Sequence, residues 1–186
     1  PAPLARVCFP NLPLRERPAP DAPVTGKLPL DALLPVLDRM PIILAGIGRD
    51  EWLQVPGGFV EAGRVQRVSD QPNPPGGPPG PLAGFGEITV PFVDARAAPD
   101  PAAAFAYRLY FQAVFPLRER LTGKDGQMWV RLEDDRSGSA FFAPARAVRP
   151  LPAAELAPIS AHLPLRDKRV EVSLKDQTLT AYEADR

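Results

Sequence analysis

The chain has very little of what metal and thiol chemistry needs: one cysteine, Cys8, and one histidine, His162, in 186 residues. A single cysteine closes no intrachain disulfide, and one Cys with one His cannot supply the four ligands of a structural zinc site, so neither a metal nor a cofactor is expected. No apolar run approaches the roughly 18 residues of a membrane span. The opening Pro1-Ala2-Pro3 lacks the basic and apolar regions of a signal peptide. Net charge is missing too. Lys and Arg total 22 against 22 Asp and Glu, which argues against nucleic acid as a partner, because a phosphate backbone is gripped by clustered positive charge. Long proline-free windows are also scarce, since 26 prolines leave almost no stretch in which a stable helix could run.

Hydrophobic residues nevertheless make up 45% of the chain, enough for a core. They recur in a pattern that suggests two copies of one unit. Arg15 and Arg96 each open an Arg-x-x-Pro-x-Pro stretch, and Ala32-Leu33-Leu34-Pro35-Val36 follows the first as Ala113-Val114-Phe115-Pro116-Leu117 follows the second. Trp52-Leu53-Gln54-Val55 then corresponds to Trp129-Val130-Arg131-Leu132, and Phe59 to Arg64 corresponds to Phe141 to Arg146. Between the copies, Asp70 to Pro81 is mostly Pro and Gly, the composition of a spacer.

Within each copy the residues are those of strands. Trp52, Gln54 and Phe59, Glu61 alternate around Pro56-Gly57-Gly58, a tight-turn sequence. Tyr110 to Phe115 is rich in strand formers, and Lys124-Asp125-Gly126 supplies a turn before a strand from Met128 to Leu132. About five short strands in roughly 65 residues would most economically close into a small barrel that hides its edges. The expected fold is therefore all-β: two small barrels joined by a Pro/Gly linker, with a C-terminal β-hairpin.

An arginine before a Pro-rich loop, a strand ending Pro35-Val36-Leu37, Trp52-Leu53-Gln54-Val55 and Gly57-Gly58-Phe59-Val60 together resemble the bacterial SH3-like domain. The resemblance runs over residues 4–69 and again over 87–150, and implies a barrel that binds cell-wall peptides or acts as a spacer. At the C-terminus, Lys168 to Glu183 resembles the opening hairpin of the L,D-transpeptidase catalytic domain. It also stands as a hairpin on its own pattern, with Val170, Val172 and Leu174 on one face of the outgoing strand and Leu179 and Ala181 on one face of the return. The expected organisation is a first barrel at 1–69, a linker at 70–86, a second barrel at 87–150, a proline-interrupted linker at 151–167, and the start of a catalytic domain at 168–186.

The resemblance implies an exported protein of the cell envelope whose 186 residues are the non-catalytic, accessory or targeting part of a peptidoglycan cross-linking enzyme. The rival is a cell-wall-binding module with no enzyme attached. No catalytic residue is assigned within the chain. A thiolate nucleophile needs an activating base and an oxyanion site, whereas Cys8 sits in the apolar Arg6-Val7-Cys8-Phe9 and His162 lies in the second linker. Cys8 is expected to be a small buried residue, and Trp52 and Trp129 to be core anchors. Arg15 and Arg96 are expected to bond across their own loops. Asp134 to Gly138 reads as a solvated turn rather than a calcium loop. For binding wall peptide or docking the catalytic domain, the candidates are Arg96 and three residues of the aromatic-rich second copy, Tyr107, Tyr110 and Phe142.

Overall fold

The computed structural model describes residues 3–43, 49–74, 76–176 and 178–184, with the backbone alone at 39–43 and 49–51. Antiparallel strands dominate it, as the density of prolines and short β-branched runs requires. The chain divides into two units, Pro1–Pro150 and Leu151–Arg186.

The first unit opens with β1 (Leu4–Val7), β2 (Leu12–Arg15), β3 (Val24–Leu28), β4 (Leu33–Pro35), β5 (Asp38–Ile43), β6 (Arg49–Val55) and β7 (Gly58–Glu61), then a 3-10 turn and β8 (Val65–Val68). It continues with β9 (Gly80–Pro81), β10 (Phe85–Ile88), β11 (Phe92–Arg96), β12 (Phe105–Tyr110), β13 (Val114–Thr122), β14 (Met128–Glu133) and β15 (Ala140–Pro144), then a second 3-10 turn and β16 (Val148–Pro150). The ladders of the two halves correspond strand for strand. In the earlier half the orders are β4-β1-β8 and β3-β2-β7-β6-β5; in the later half one path runs β12-β11-β15-β14-β13-β10-β16. The later β13 does the work of both β4 and β5: its first residues pair with β10 and its later ones with β14, across a register shift between Leu117 and Glu119. Among the described residues no sheet returns onto its own first strand, so the expected closed barrels are open sheets instead.

Each half has its own core. Ala5, Val7, Leu53, Val55 and Val60 belong to one cluster, and Ile88, Leu117, Val130, Leu132 and Phe141 to the other. The two tryptophans are members of neither, although they are only 1% and 3% exposed. Strand alternation explains this: Leu53 and Val55, or Val130 and Leu132, take the core face, and each tryptophan falls on the opposite one. The expected anchoring tryptophans are thus buried, on the strand face opposite each cluster.

Two further corrections concern register. The strand expected through Tyr110 to Phe115 is broken: Gln112 takes φ 64° and separates β12 from β13, as Asp31 with φ 64° precedes β4. The correspondence of Phe59–Arg64 with Phe141–Arg146 is also off by one. Arg15 pairs with Phe59 and Arg96 with Phe142; Trp52 pairs with Glu61 and Trp129 with Pro144. Arg64 therefore corresponds to Ala147, and Arg146 to Gly63. A one-residue slip exchanges the two faces of a strand.

The Pro/Gly segment is not a free spacer. The Gln71 N–H donates to Thr89 O at 3.1 Å and the Asn73 N–H to Arg146 O at 2.7 Å. Asn73 Nδ2 donates to Thr89 Oγ1 at 2.8 Å, and β9 pairs with Glu119 and Arg120 of β13. Pro75, from the middle of this segment, lies outside the described residues.

The second unit holds β17 (Lys168–Ser173) and β18 (Thr178–Glu183), paired from Lys168↔Glu183 to Ser173↔Thr178. Val170 opposes Ala181 and Val172 opposes Leu179 on one face. Val170, Val172, Leu174 and Leu179 are exposed. The hairpin is tied to the segment before it: Ser160 Oγ donates to Glu183 Oε2 at 2.7 Å and Lys168 Nζ to Ser160 O at 2.8 Å. Gln177, between the two strands in sequence, lies outside the described residues.

Candidate functional site

A groove of about 590 Å³ lies on the later half, on the sheet face that carries Trp129 rather than the core. Its floor depends on glycine. A Cβ at Gly123 would fall on the Trp129 ring, so only glycine lets the chain leave β13 over the indole. The next turn is fixed by Asp125, whose Oδ1 accepts the Gln127 N–H and Trp129 Nε1–H, both at 3.0 Å. The opposite wall is β11, with Asp94 and Arg96; Pro144 and Arg146 come from β15 and the turn after it, and the docked Pro72-Asn73 completes the rim. A smaller groove of about 320 Å³ shares Pro72, Pro144 and Arg146 and continues to Val90, Phe92 and, in the earlier half, Leu33.

The charges are balanced but unequally committed. Asp94 is held by a two-pronged contact, Arg108 Nε to Oδ1 at 2.7 Å and Nη2 to Oδ2 at 3.0 Å. These hydrogen bonds hold its carboxyl below the usual carboxylate range and the Arg108 guanidinium above its own. Arg96 makes one long bond, Nη1 to Ala103 O at 3.4 Å. Its counterpart Arg15 donates to Ala22 O at 2.7 Å. Both contacts are the loop-spanning kind expected of them. Arg146 is exposed, and its side chain has no partner among the described residues.

Asp94 also joins the groove to the junction between the two halves. Arg108 extends Nη1 to Asp31 Oδ2 at 2.9 Å, and Asp31 Oδ1 accepts Arg6 Nη1 at 2.7 Å. Arg6 is 8% exposed. It also donates to Gln66 Oε1 at 2.9 Å and stacks 4.0 Å above the Tyr110 ring, while Gln66 Nε2 donates to Phe111 O at 3.2 Å.

Of the residues expected to bind or dock, Arg96 lines the groove. Tyr110 is used at the junction, under Arg6. Tyr107 is exposed on the edge strand β12 and meets the buried Phe141 edge-on, ring centres 5.2 Å apart. Phe142 is half-buried beside Arg96 in the β11–β15 pairing. Asp125, Gln127 and Arg146 were not singled out as binding residues from sequence; the turn signal marked Asp125 and the repeat marked Arg146. Cys8 is half-buried rather than buried, with its Sγ 3.5 Å from Arg6 Nη2. His162 is exposed. Asp134 Oδ1 accepts the Arg136 and Ser137 N–H groups, a self-contained turn. Among the described residues no group of acidic, Cys or His side chains is arranged to hold a metal ion, and no helix is long and apolar enough to cross a membrane.

No family model and no curated protein matches the chain. Among solved structures it is similar to Ly7917, at 14% identity and TM-score 0.32 over 76% of this chain and 56% of that one. Ly7917 with the hydrolyzing product of MDP matches at 15% and 0.32. The endolysin LysPBC5 CBD matches at 15% and 0.27, over 80% of this chain and 93% of that one. The chain spans little more than half of Ly7917. Similarity this low carries no functional argument.

Proposed function

We propose that residues 1–150 are a tandem SH3-like region that binds peptidoglycan peptides at the bacterial cell envelope, through the groove over Trp129. The groove is the observation that carries this. It is concave, has an indole floor with proline walls, and holds a few convergent charged groups, the ordinary constitution of a small-ligand or peptide site. The shared ladder order of the halves supports the duplication, and the sequence resemblance supports the SH3-like assignment and the wall as target. The test is co-sedimentation of the purified chain with isolated sacculi, with and without excess soluble stem peptide. Binding that the peptide competes away, and that Trp129→Ala weakens at least tenfold in a variant whose thermal unfolding remains cooperative, is the expected result; no sedimentation with sacculi overturns the proposal.

In the finer form of this proposal the region is the accessory part of an L,D-transpeptidase-like enzyme, positioning a catalytic domain that begins with β17 and β18. The exposed apolar face of Val170, Val172 and Leu179 favours it, because a two-stranded ribbon with one bare face normally belongs to a larger sheet. Reading the coding sequence downstream of Arg186 is the test: a His and a Ser-His-Gly-Cys segment in frame support the enzyme, and an immediate stop leaves a wall-binding module.

A further inference from the structure

The unsatisfied hydrogen-bonding capacity of the groove specifies its ligand more narrowly than shape does. On the cationic side, Arg146 has its whole guanidinium uncommitted among the described residues, and Arg96 gives away a single N–H in a long bond. On the anionic side, the Asp94 charge is paired with Arg108, which engages each of its oxygens. Asp125 has given Oδ1 to Trp129 and the Gln127 backbone, and Oδ2 accepts no hydrogen bond among the described residues. The charged groups not paired with an opposite charge in the groove are thus two planar cations and the Asp125 carboxylate, whose Oδ2 is open. Two arginines on one groove match a carboxylate, which they bind in forked geometry. The two aspartates in the same groove disfavour a polyanion, since each further phosphate would meet a carboxylate at close range.

We propose that the groove takes the carboxylate-terminated end of a short peptide carrying a side-chain amine, with Arg96 and Arg146 on the carboxylate and Asp125 on the ammonium. Pro72, Pro101 and Pro144 offer apolar contact for small side chains between the two charges. This assignment rests on the wall-peptide reading of the groove and gives it a chemical end-group. The residue-by-residue correspondence of the halves supports the role of Arg146, because its counterpart is Gly63; an arginine at this position is specific to the later half, and its side chain has no hydrogen-bond or ion-pair partner among the described residues.

The experiment is titration of the full chain, followed by amide chemical shifts or calorimetry, with N-acetyl-lysyl-D-alanyl-D-alanine. Its C-terminal amide, its Nε-acetyl derivative and poly(glycerol phosphate) serve as comparison probes, and sacculus co-sedimentation is run alongside. The free acid is expected to bind at least tenfold more tightly than the amide, in line with loss of charge-assisted hydrogen bonds. The Nε-acetyl derivative should bind several-fold more weakly, and the phosphate polymer not at all. Arg146→Ala should weaken the acid about tenfold while leaving the amide unchanged, and Arg146→Lys should recover part of the loss. Arg146 is exposed and its side chain forms no hydrogen bond or ion pair among the described residues, so its variants are expected to remain folded and informative. Equal affinity for acid and amide, an equal effect of Arg146→Ala on both, no binding of the acid, or preference for the phosphate polymer overturns the assignment. If sacculi are still captured in those cases, the wall-binding proposal survives it; if they are not, both fall.

Discussion

Replacing Asp31 by asparagine tests whether residues 1–150 act as one body. Asp31 sits with its side chain 8% exposed between Arg6 and Arg108, accepting one hydrogen bond from each at 2.7 and 2.9 Å. Asparagine suits the site because the residue has φ 64°, a left-handed conformation that Asn and Asp tolerate. Backbone strain therefore stays constant while the charge is removed. Losing one partner of a buried ion pair costs about 3–5 kcal/mol when the other charge is stranded. Here Arg6 keeps Gln66 and the Tyr110 ring, Arg108 keeps Asp94, and an amide oxygen still accepts one N–H. The expected loss is thus about 1.5–3 kcal/mol, roughly 5–10 °C in Tm for a body of this size. Arg108 has a side chain 35% exposed, so Arg108→Gln alone should cost about 1 kcal/mol or less. The double variant should fall short of the sum by at least about 0.5 kcal/mol, because the two groups share a contact. Thermal unfolding followed by circular dichroism is the assay. An Asp31→Asn variant that melts within about 1 °C of the parent, or strict additivity with Arg108→Gln, would refute the claim that this network joins the halves.

Three other outcomes follow from the same contacts. Gly123→Ala drives a Cβ into the Trp129 indole, so it should destabilise by about 1–3 kcal/mol and shift tryptophan emission to the red; unchanged emission and Tm would show that the ring has room. Asn73→Ala removes the side-chain bond to Thr89, and the Gln71 and Asn73 amides, protected by Thr89 O and Arg146 O, should then exchange with deuterium about five- to tenfold faster, as loss of one hydrogen bond of about 1 kcal/mol implies. Acid should destabilise the fold. Asp94, Asp100 and Glu133 are held below the usual carboxylate range by hydrogen bonds from Arg108, Lys124 and Arg118. A lowered folded-state value means stabilisation fully present above the unfolded value, near pH 4, and lost as pH falls through the folded one. Tm should therefore drop between about pH 4 and 2, and Asp94→Asn should flatten that slope; an unaltered slope would mean that the Arg108 contact is not made in solution.

Strand identity and turns were largely legible, because they depend on neighbours in the chain. Pro56-Gly57 and Lys124-Asp125-Gly126 sit where two tight turns form, with Gly57 and Gly126 at positive φ. Long-range placement was less legible. Nothing local tells whether a Pro/Gly segment floats or docks: its docking depends on Thr89 and the Arg146 carbonyl, 16 and 73 residues from Asn73. The side of the sheet that buries tryptophan was equally hidden, since a large ring satisfies its burial on either face once a turn residue such as Asp125 covers it.

The one-residue slip between the β7–β8 and β15–β16 segments shows why this matters for function. Matching Arg64 to Arg146 makes both look like a shared structural feature, and Arg64 does behave as one, contacting Glu61 at 3.4 Å and stacking over Phe9 at 4.9 Å. The ladder pairs instead set Arg146 against Gly63 and Pro144 against Glu61. The carboxylate that engages Arg64 in the earlier half is therefore replaced, in the later one, by a proline with no charge. Two residues beyond that proline stands Arg146, whose side chain has no partner among the described residues. With Arg64 itself replaced by Ala147, the later half loses the acid and carries its one base a position earlier, so the local charge changes by one, from zero to +1, without touching the core residues Val60 and Ala143. Giving these two positions their earlier-half residues through Pro144→Glu with Arg146→Gly should leave Tm within about 2 °C, because both positions lie outside the core cluster. It should abolish sacculus binding. Retained binding in that double variant would move the ligand site away from the Trp129 groove.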